Sequence, residues 1–389
     1  MTVNAEIEGR HAVLVALGGF LALLGAMGIG RFLFTPALPM MPGLGPAEAG
    51  LVASANFAGY LIGALMGALP AFGARAGGVL AISLGLSAVT TGAMALLEAP
   101  MAWAALRFLG GLASAWVLVT SSALVSARLA AAGRPGLSAL HFAGVGAGIT
   151  LSAILASPFI LPDDGWQHLW LMGAGVTLLA GLGTLALVPL HQAAPAAGGA
   201  ATSSGEGGLW RLVVSYGGVG FGYVITATFI VAILREDGGS RADEALVWGL
   251  VGLAGMPSIL AWRIVAGRIG VVPVLQAAML VEAVGIAAGA LLGGTLALAV
   301  AALCLGATFM ALTAIGLQEA VRRAPGNAQG VIALMTAAFG LGQIIGPALA
   351  GWLRAETGSF TAPSLMAAAV LLAGAALLFP LRRRSDGSG

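Results

Sequence analysis

Apolar residues in this chain run in long blocks, not in alternation. From about Ala12 onward, stretches of more than ~18 apolar residues recur, each long enough to cross a bilayer as a helix. Short clusters of Gly, Pro and charged residues separate them. The pattern predicts twelve helices, at 12–37, 47–70, 77–97, 100–127, 136–160, 167–189, 209–233, 244–263, 271–292, 295–321, 328–352 and 362–381. A transmembrane β-barrel would show segments of about ten residues in which apolar and polar positions alternate. The predicted fold class is therefore all-α and polytopic: twelve transmembrane helices in two pseudo-symmetric six-helix bundles.

The longest polar stretch, 191–208, is rich in Ala, Gly, Ser and Pro and reads as a flexible linker. It separates an N-terminal bundle, 1–190, from a C-terminal bundle, 209–389. The halves look related. Gly28-x-Gly30-Arg31 echoes Gly220-x-Gly222-Tyr223 at an offset of 192. Gly144-x-Gly146 echoes Gly340-x-Gly342, and Leu109-Gly110 echoes Leu305-Gly306, both at an offset of 196. Two parallel six-helix halves around a midplane site is a secondary-transporter arrangement.

Composition agrees. The 389 residues are 59% hydrophobic and 8% charged, whereas soluble domains carry about 25% charged residues. All 17 basic residues are Arg, and their placement sets orientation. An N-terminus inside leaves twelve on the cytoplasmic side: Arg10, Arg75, Arg128, Arg134, Arg211, Arg263, Arg268, Arg322, Arg323, Arg382, Arg383 and Arg384. Three fall outside, Arg235, Arg241 and Arg354, together with Asp163, Asp164, Glu236, Asp237, Asp243 and Glu244. Both termini are expected in the cytoplasm and the chain in a bacterial inner membrane. No cleavable signal peptide is read at the N-terminus. Cys304 is the sole cysteine, so no disulfide within the chain and no metal cluster is expected. No G-x-x-x-x-G-K-[ST], G-x-S-x-G or H-E-x-x-H occurs. An enzyme, a cofactor and a nucleic-acid partner are accordingly not expected. The chain is read as a monomer in the lipid bilayer. A sensor would need a soluble output module, and no loop is long enough.

The segment Gly28-Ile-Gly-Arg-Phe-Leu-Phe-Thr-Pro-Ala-Leu-Pro-Met-Met41 closely resembles the first-helix signature of the bacterial YbfB-like family of major facilitator transporters. His141-Phe-Ala-Gly-Val-Gly-Ala-Gly148 and Gly340-Leu-Gly-Gln-Ile-Ile-Gly-Pro347 extend the resemblance to nearly the whole chain. Arg107-Phe-Leu-Gly-Gly111 looks like the superfamily's helix-four arginine motif, which implies a role for Arg107 in substrate or proton coupling. The loop Gly67–Gly77 only partly resembles the superfamily's cytoplasmic loop motif, because the expected Asp is missing. The loop Arg263–Gly270 likewise has Ala266 where similar sequences carry Asp. The usual charge lock of the outward-facing state is therefore not expected in its usual form.

An arginine at membrane depth costs between ~2.5 and ~17 kcal/mol, so a retained charge there is read as used. Arg31 lies about six residues before the outer end of its helix and Arg107 about seven after the start of its own. Both therefore sit ~10 Å below the outer surface. The resemblance places helices one and four on the central cavity, where two guanidiniums would bind a carboxylate or similar anion. The alternative is that either Arg snorkels or caps helix-end carbonyls. Helical spacing adds Asn56, Tyr60, Ser114, Tyr216 and Tyr223, with Tyr223 at the repeat position of Arg31, and Gln343 from helix eleven. Small and hydroxyl residues can equally serve helix packing. His141 and Glu282 are candidates for proton coupling, although the Gly285 and Gly289 that follow Glu282 favour a hydrogen-bonded structural role. Glu319 with Arg322 and Arg323 reads as an interfacial ion cluster.

The function expected is secondary transport of a small organic anion, coupled to protons, by alternating access. The alternative is broad-specificity proton-driven efflux of drugs or metabolites, with Arg107 in coupling only.

Overall fold

In the computed structural model, residues 2–69, 72, 74–162, 165–191, 208–324 and 327–381 are described. Twelve helices are long and apolar enough to cross a membrane. They are α1 (Arg10–Met40), α2 (Pro46–Gly67), α3 (Ala76–Leu96), α4 (Pro100–Ala131), α5 (Pro135–Leu155), α6 (Trp166–Leu187), α7 (Leu209–Glu236), α8 (Arg241–Ile269), α9 (Val271–Leu292), α10 (Gly294–Arg323), α11 (Gly330–Thr357) and α12 (Thr361–Leu381). The described elements are all helical. Most of the linker, 192–207, and the charged residues Asp163, Asp164 and Arg382–Arg384 lie outside the described residues. Six spans precede the linker and six follow it.

Local chemistry sets the helix ends. Pro46 opens α2 where its missing N–H costs nothing, and the Glu48 carboxylate accepts from Gly45 N–H. Ser240 and Asp243 form a reciprocal capping box at the start of α8. Helix α5 ends at Leu155, short of the predicted 160, and Pro158 lies in the turn beyond. Pro347 stays inside an unbroken α11.

Hydrophobic burial cannot drive association between helices in lipid, so close packing of small residues does. A methyl group at Gly59 would overlap the Phe108 carbonyl, and one at Gly111 the Asn56 carbonyl, which locks α2 to α4. The halves meet through two such pairs. Helices α2 and α11 touch at Gly50 and Pro347, with Ser54 Oγ donating to Ile344 O at 2.6 Å. Helices α5 and α8 touch at Gly146 and Gly252, with Trp248 Nε1 donating to Ser152 Oγ at 2.9 Å.

These contacts favour the end of the bundle opposite the linker, here called the far side. There the second half's arginines hold the first half's helix ends. Arg235 makes a bidentate pair with Glu244 at 2.5 and 2.6 Å and also donates to Pro39 O at 2.5 Å. Arg241 donates to Ala156 O at 2.6 Å and Leu161 O at 2.8 Å. Thr35 Oγ1 donates to Ala227 O at 2.6 Å. Every described hydrogen bond between the halves lies between the middle of the bundle and the far side, so this conformation is closed there.

Candidate functional site

The first helix is not continuous, as the 12–37 prediction had it. Gly25, Gly28 and Gly30 loosen it into a π-helical segment over Leu24–Ile29. Turns follow at residues 30–33, then a short helix Phe34–Ala37 and a 3₁₀ turn Leu38–Met40 that contains Pro39. π-helical turns inside α-helices are rare and cluster at functional sites. The break disturbs the backbone ladder: Thr35 N–H bonds Phe32 O at 3.2 Å, not Arg31 O.

Arg107 fills the gap. Its Nη1 donates to Gly30 O at 2.8 Å and its Nη2 to Arg31 O at 2.6 Å. Its guanidinium lies 5.2 Å from the Phe34 ring, and Asn56 Nδ2 donates to Arg107 O at 2.7 Å. Helix α4 therefore holds the broken α1 by its exposed carbonyls. This is the carbonyl-capping alternative, realised inside the helix bundle.

Arg31 is different. It is 4% exposed. Its guanidinium carbon lies 4.2 Å from the Tyr60 ring, 4.6 Å from Phe57 and 5.6 Å from Phe32. Its Nε and Nη2 are buried without a hydrogen-bond partner, and among the described residues no carboxylate pairs with it. Ring faces attract a cation but give its N–H groups no acceptor. A buried charge left in that state costs several kcal/mol.

The second half presents rings to this cage. Tyr223 stacks between Phe309 and Phe339, with centroids 5.7 and 5.6 Å away and ring planes 14° and 15° apart. Phe32 joins the two groups, 6.3 Å from Phe309 and 6.3 Å from Trp248. Gln343 Nε2 donates to the Tyr223 hydroxyl, and Gln343 Oε1 has no partner. Tyr216 packs 4.9 Å from Phe339, and its hydroxyl donates to Thr313 O at 3.0 Å. The described cavities lie among the far-side helix ends, one of about 190 Å³ beside Arg235, and do not include Arg31.

The structure thus brings together Arg31, Arg107, Asn56 and Tyr60 in one half, and Tyr223, Tyr216 and Gln343 in the other. Three candidates fall elsewhere. Ser114 Oγ donates to Gly111 O in its own helix at 2.8 Å. His141, a candidate for proton coupling, is fully buried within the first half; it packs on Gly19 of α1 and bonds Ser122 of α4 at 3.2 Å. Glu282 lies between α9 and α10, where Thr308 Oγ1 meets its Oε2 at 2.8 Å. The repeat register also shifts. Gly144 and Gly148 pack on the carbonyls of Phe20 and Leu24, as Gly342 and Gly346 do on those of Gly217 and Phe221. The packing offset is therefore 197 along the first helix of each half, which matches Tyr223 with Ala26, not with Arg31. Tyr223 sits about a turn nearer the linker side than Arg31.

Phe57, Phe309 and Phe339 did not emerge from the sequence. Phe57 precedes Tyr60 by one helical turn and was legible in principle. Phe309 and Phe339 carry no local signal, because only the tertiary fold stacks them on Tyr223.

Known proteins agree with this architecture. The family described as "Uncharacterised MFS-type transporter YbfB" matches residues 23–379. The chain belongs to this family of major facilitator transporters. A protein of Agrobacterium vitis provisionally named a tartrate transporter is 25% identical over 333 residues, 76% of this chain and 73% of that one. The "Uncharacterized transporter YycB" of Bacillus subtilis (strain 168) is 28% identical over 248 residues, 59% of this chain and 60% of that one. Crystal structures of the nucleoside transporter NupG share the fold. A mutant form has a TM-score of 0.74 at 16% identity, covering 95% of this chain and 99% of NupG. Another has 0.70 at 18% identity, covering 95% and 98%. These relatives are transporters, and this chain is a multi-pass membrane transporter of the major facilitator type, not an enzyme.

Proposed function

We propose that this transporter moves a small organic anion, such as a carboxylate metabolite, by alternating access, with Arg31 holding the anionic group. The observation that carries the reading is the buried Arg31 guanidinium whose Nε and Nη2 lack any acceptor. Arg107 assists by fixing the backbone that presents Arg31. Tyr60, Tyr223 and Gln343 line the remaining contact surface, Asn56 supports Arg107, and Tyr216 supports the ring stack. The broken α1 ties the charge to the moving element, since binding at Arg31 acts on the same residues that join the halves through Thr35. That the Agrobacterium relative is named for tartrate fits an anionic substrate. Broad-specificity efflux would need no orphaned cation at the centre of the site.

In this reading the linker side is cytoplasmic, residues 1–190 and 209–389 are the two rocking domains, and the conformation described faces inward in the bacterial inner membrane. Single cysteines at Ser203 and Asp237 in a Cys304→Ala background test the orientation. A thermal-shift screen of organic anions against the purified protein tests the substrate class, because a ligand at 100-fold its Kd adds ~2.7 kcal/mol of stability. Stabilisation by neutral compounds alone would reject it. Protons are the proposed driving ion. Transport in proteoliposomes that ignores an imposed pH gradient, or that requires Na⁺, would reject the coupling.

A further inference from the structure

We infer that the site selects a planar aromatic monocarboxylate bearing a ring hydroxyl or amino group, over a dicarboxylate. The inference rests on the reading of Arg31 as the anion site and asks what else the ligand must carry.

Charge comes first. Of the two central guanidiniums, Arg107 spends both terminal nitrogens on the carbonyls of Gly30 and Arg31. Only Arg31 has buried terminal and Nε donors without acceptors on the same edge, the fork that a single carboxylate occupies. A second carboxylate beside Arg31 would be a desolvated charge with no cation to meet it. Redirecting Arg107 to it would orphan two backbone carbonyls. The valence of the site is one.

Shape comes second. The side chains around Arg31 are rings, Phe32, Phe57 and Tyr60. Facing them is the parallel stack of Phe309, Tyr223 and Phe339. Such surfaces contact flat, apolar groups through stacked and edge-on geometries. A small polyhydroxy acid would leave its hydroxyls against ring faces, without partners.

Polarity comes third. Gln343 Oε1 is a buried acceptor with no donor. The Tyr223 hydroxyl already accepts from Gln343 Nε2, so its own proton remains to be donated. A ring hydroxyl or amino group on the ligand satisfies this pair, donating to Gln343 and accepting from Tyr223 where it can. An unsubstituted ring leaves Gln343 Oε1 unsatisfied.

The test is calorimetric titration of the purified full-length protein with 4-hydroxyphenylacetate, phenylacetate, acetate, tartrate and 4-hydroxyphenylacetamide. We expect 4-hydroxyphenylacetate to bind at least tenfold tighter than acetate or tartrate, and several-fold tighter than phenylacetate. Tyr223→Leu should bring 4-hydroxyphenylacetate down toward acetate. Tyr223→Phe, which keeps the stack, should remove only the advantage over phenylacetate. Tartrate binding tighter than 4-hydroxyphenylacetate would overturn the inference and leave Arg31 as the anion site. The amide binding as tightly as the acid would overturn both. Loss of all binding in Tyr223→Leu with none in Tyr223→Phe leaves the ring-for-ring variant to decide: an unchanged preference over phenylacetate there overturns the assigned role of the hydroxyl pair.

Discussion

Around Arg31 the first half breaks its helix, exposes carbonyls and leaves a guanidinium without an acceptor; around Tyr223 the second half keeps α7 unbroken over Leu209–Glu236 and stacks three rings into a wall. The packing register shows that these are not the same position in two copies of one motif. The halves share their glycine contacts and differ in what those contacts support. One half supplies charge on a deformable element, the other a flat apolar surface on a stiff one. An amphipathic ligand fits between unlike halves better than between like ones. The same division runs through the two arginines. Arg107 is a scaffold whose two terminal nitrogens are both bonded to carbonyls, and Arg31 is a charge whose buried Nε and Nη2 are not bonded.

The largest expected effect breaks the scaffold. Arg107→Ala orphans the carbonyls of Gly30 and Arg31, at roughly 1–3 kcal/mol each. It should lower thermal stability by several degrees and abolish transport. Arg107→Lys, which cannot span both carbonyls with a planar fork, should recover part of the stability. An Arg107→Ala protein as stable as wild type would show that α1 does not depend on the clamp.

Next comes the closure that brings the halves together. Arg241→Ala removes charged bonds to Ala156 O and Leu161 O, worth ~1.5–3 kcal/mol each. The equilibrium should shift at least tenfold toward opening on the far side. A cysteine at Ala49, in a Cys304→Ala background, should label faster from that side in this variant. Unchanged labelling would mean that the glycine contacts alone hold the closure.

A smaller effect is expected at the ring wall. Gln343→Leu deletes the bond to Tyr223 and should weaken ligand binding by about fivefold, near 1 kcal/mol. Smallest of all is Glu282→Gln. Its partner is Thr308 between α9 and α10, away from both arginines, so the pH dependence of transport should survive. Its loss in that variant would move proton coupling into the second half.

Twelve helices, their near boundaries and a buried charge at Arg31 were legible because bilayer length and the cost of a membrane-embedded charge act on sequence directly. The division of labour between Arg31 and Arg107 was not. Which arginine is spent depends on where α1 breaks, and the glycines at positions 25, 28 and 30 permit that break without specifying it. The packing of His141 was not legible for a related reason: depth along a helix is readable, but the face that meets α1 through Gly19 is set by packing. The ring wall lay beyond reach because Tyr223, Phe309 and Phe339 come from three helices.

The central claim is that Arg31 supplies the charge the ligand needs. Titrating a bound carboxylate and its methyl ester into wild type and Arg31→Ala isolates that charge. Wild type should prefer the carboxylate by at least tenfold, a difference of ~1.4 kcal/mol, and Arg31→Ala should bind the two alike. A preference for the carboxylate that persists undiminished in folded Arg31→Ala would place the anion site elsewhere.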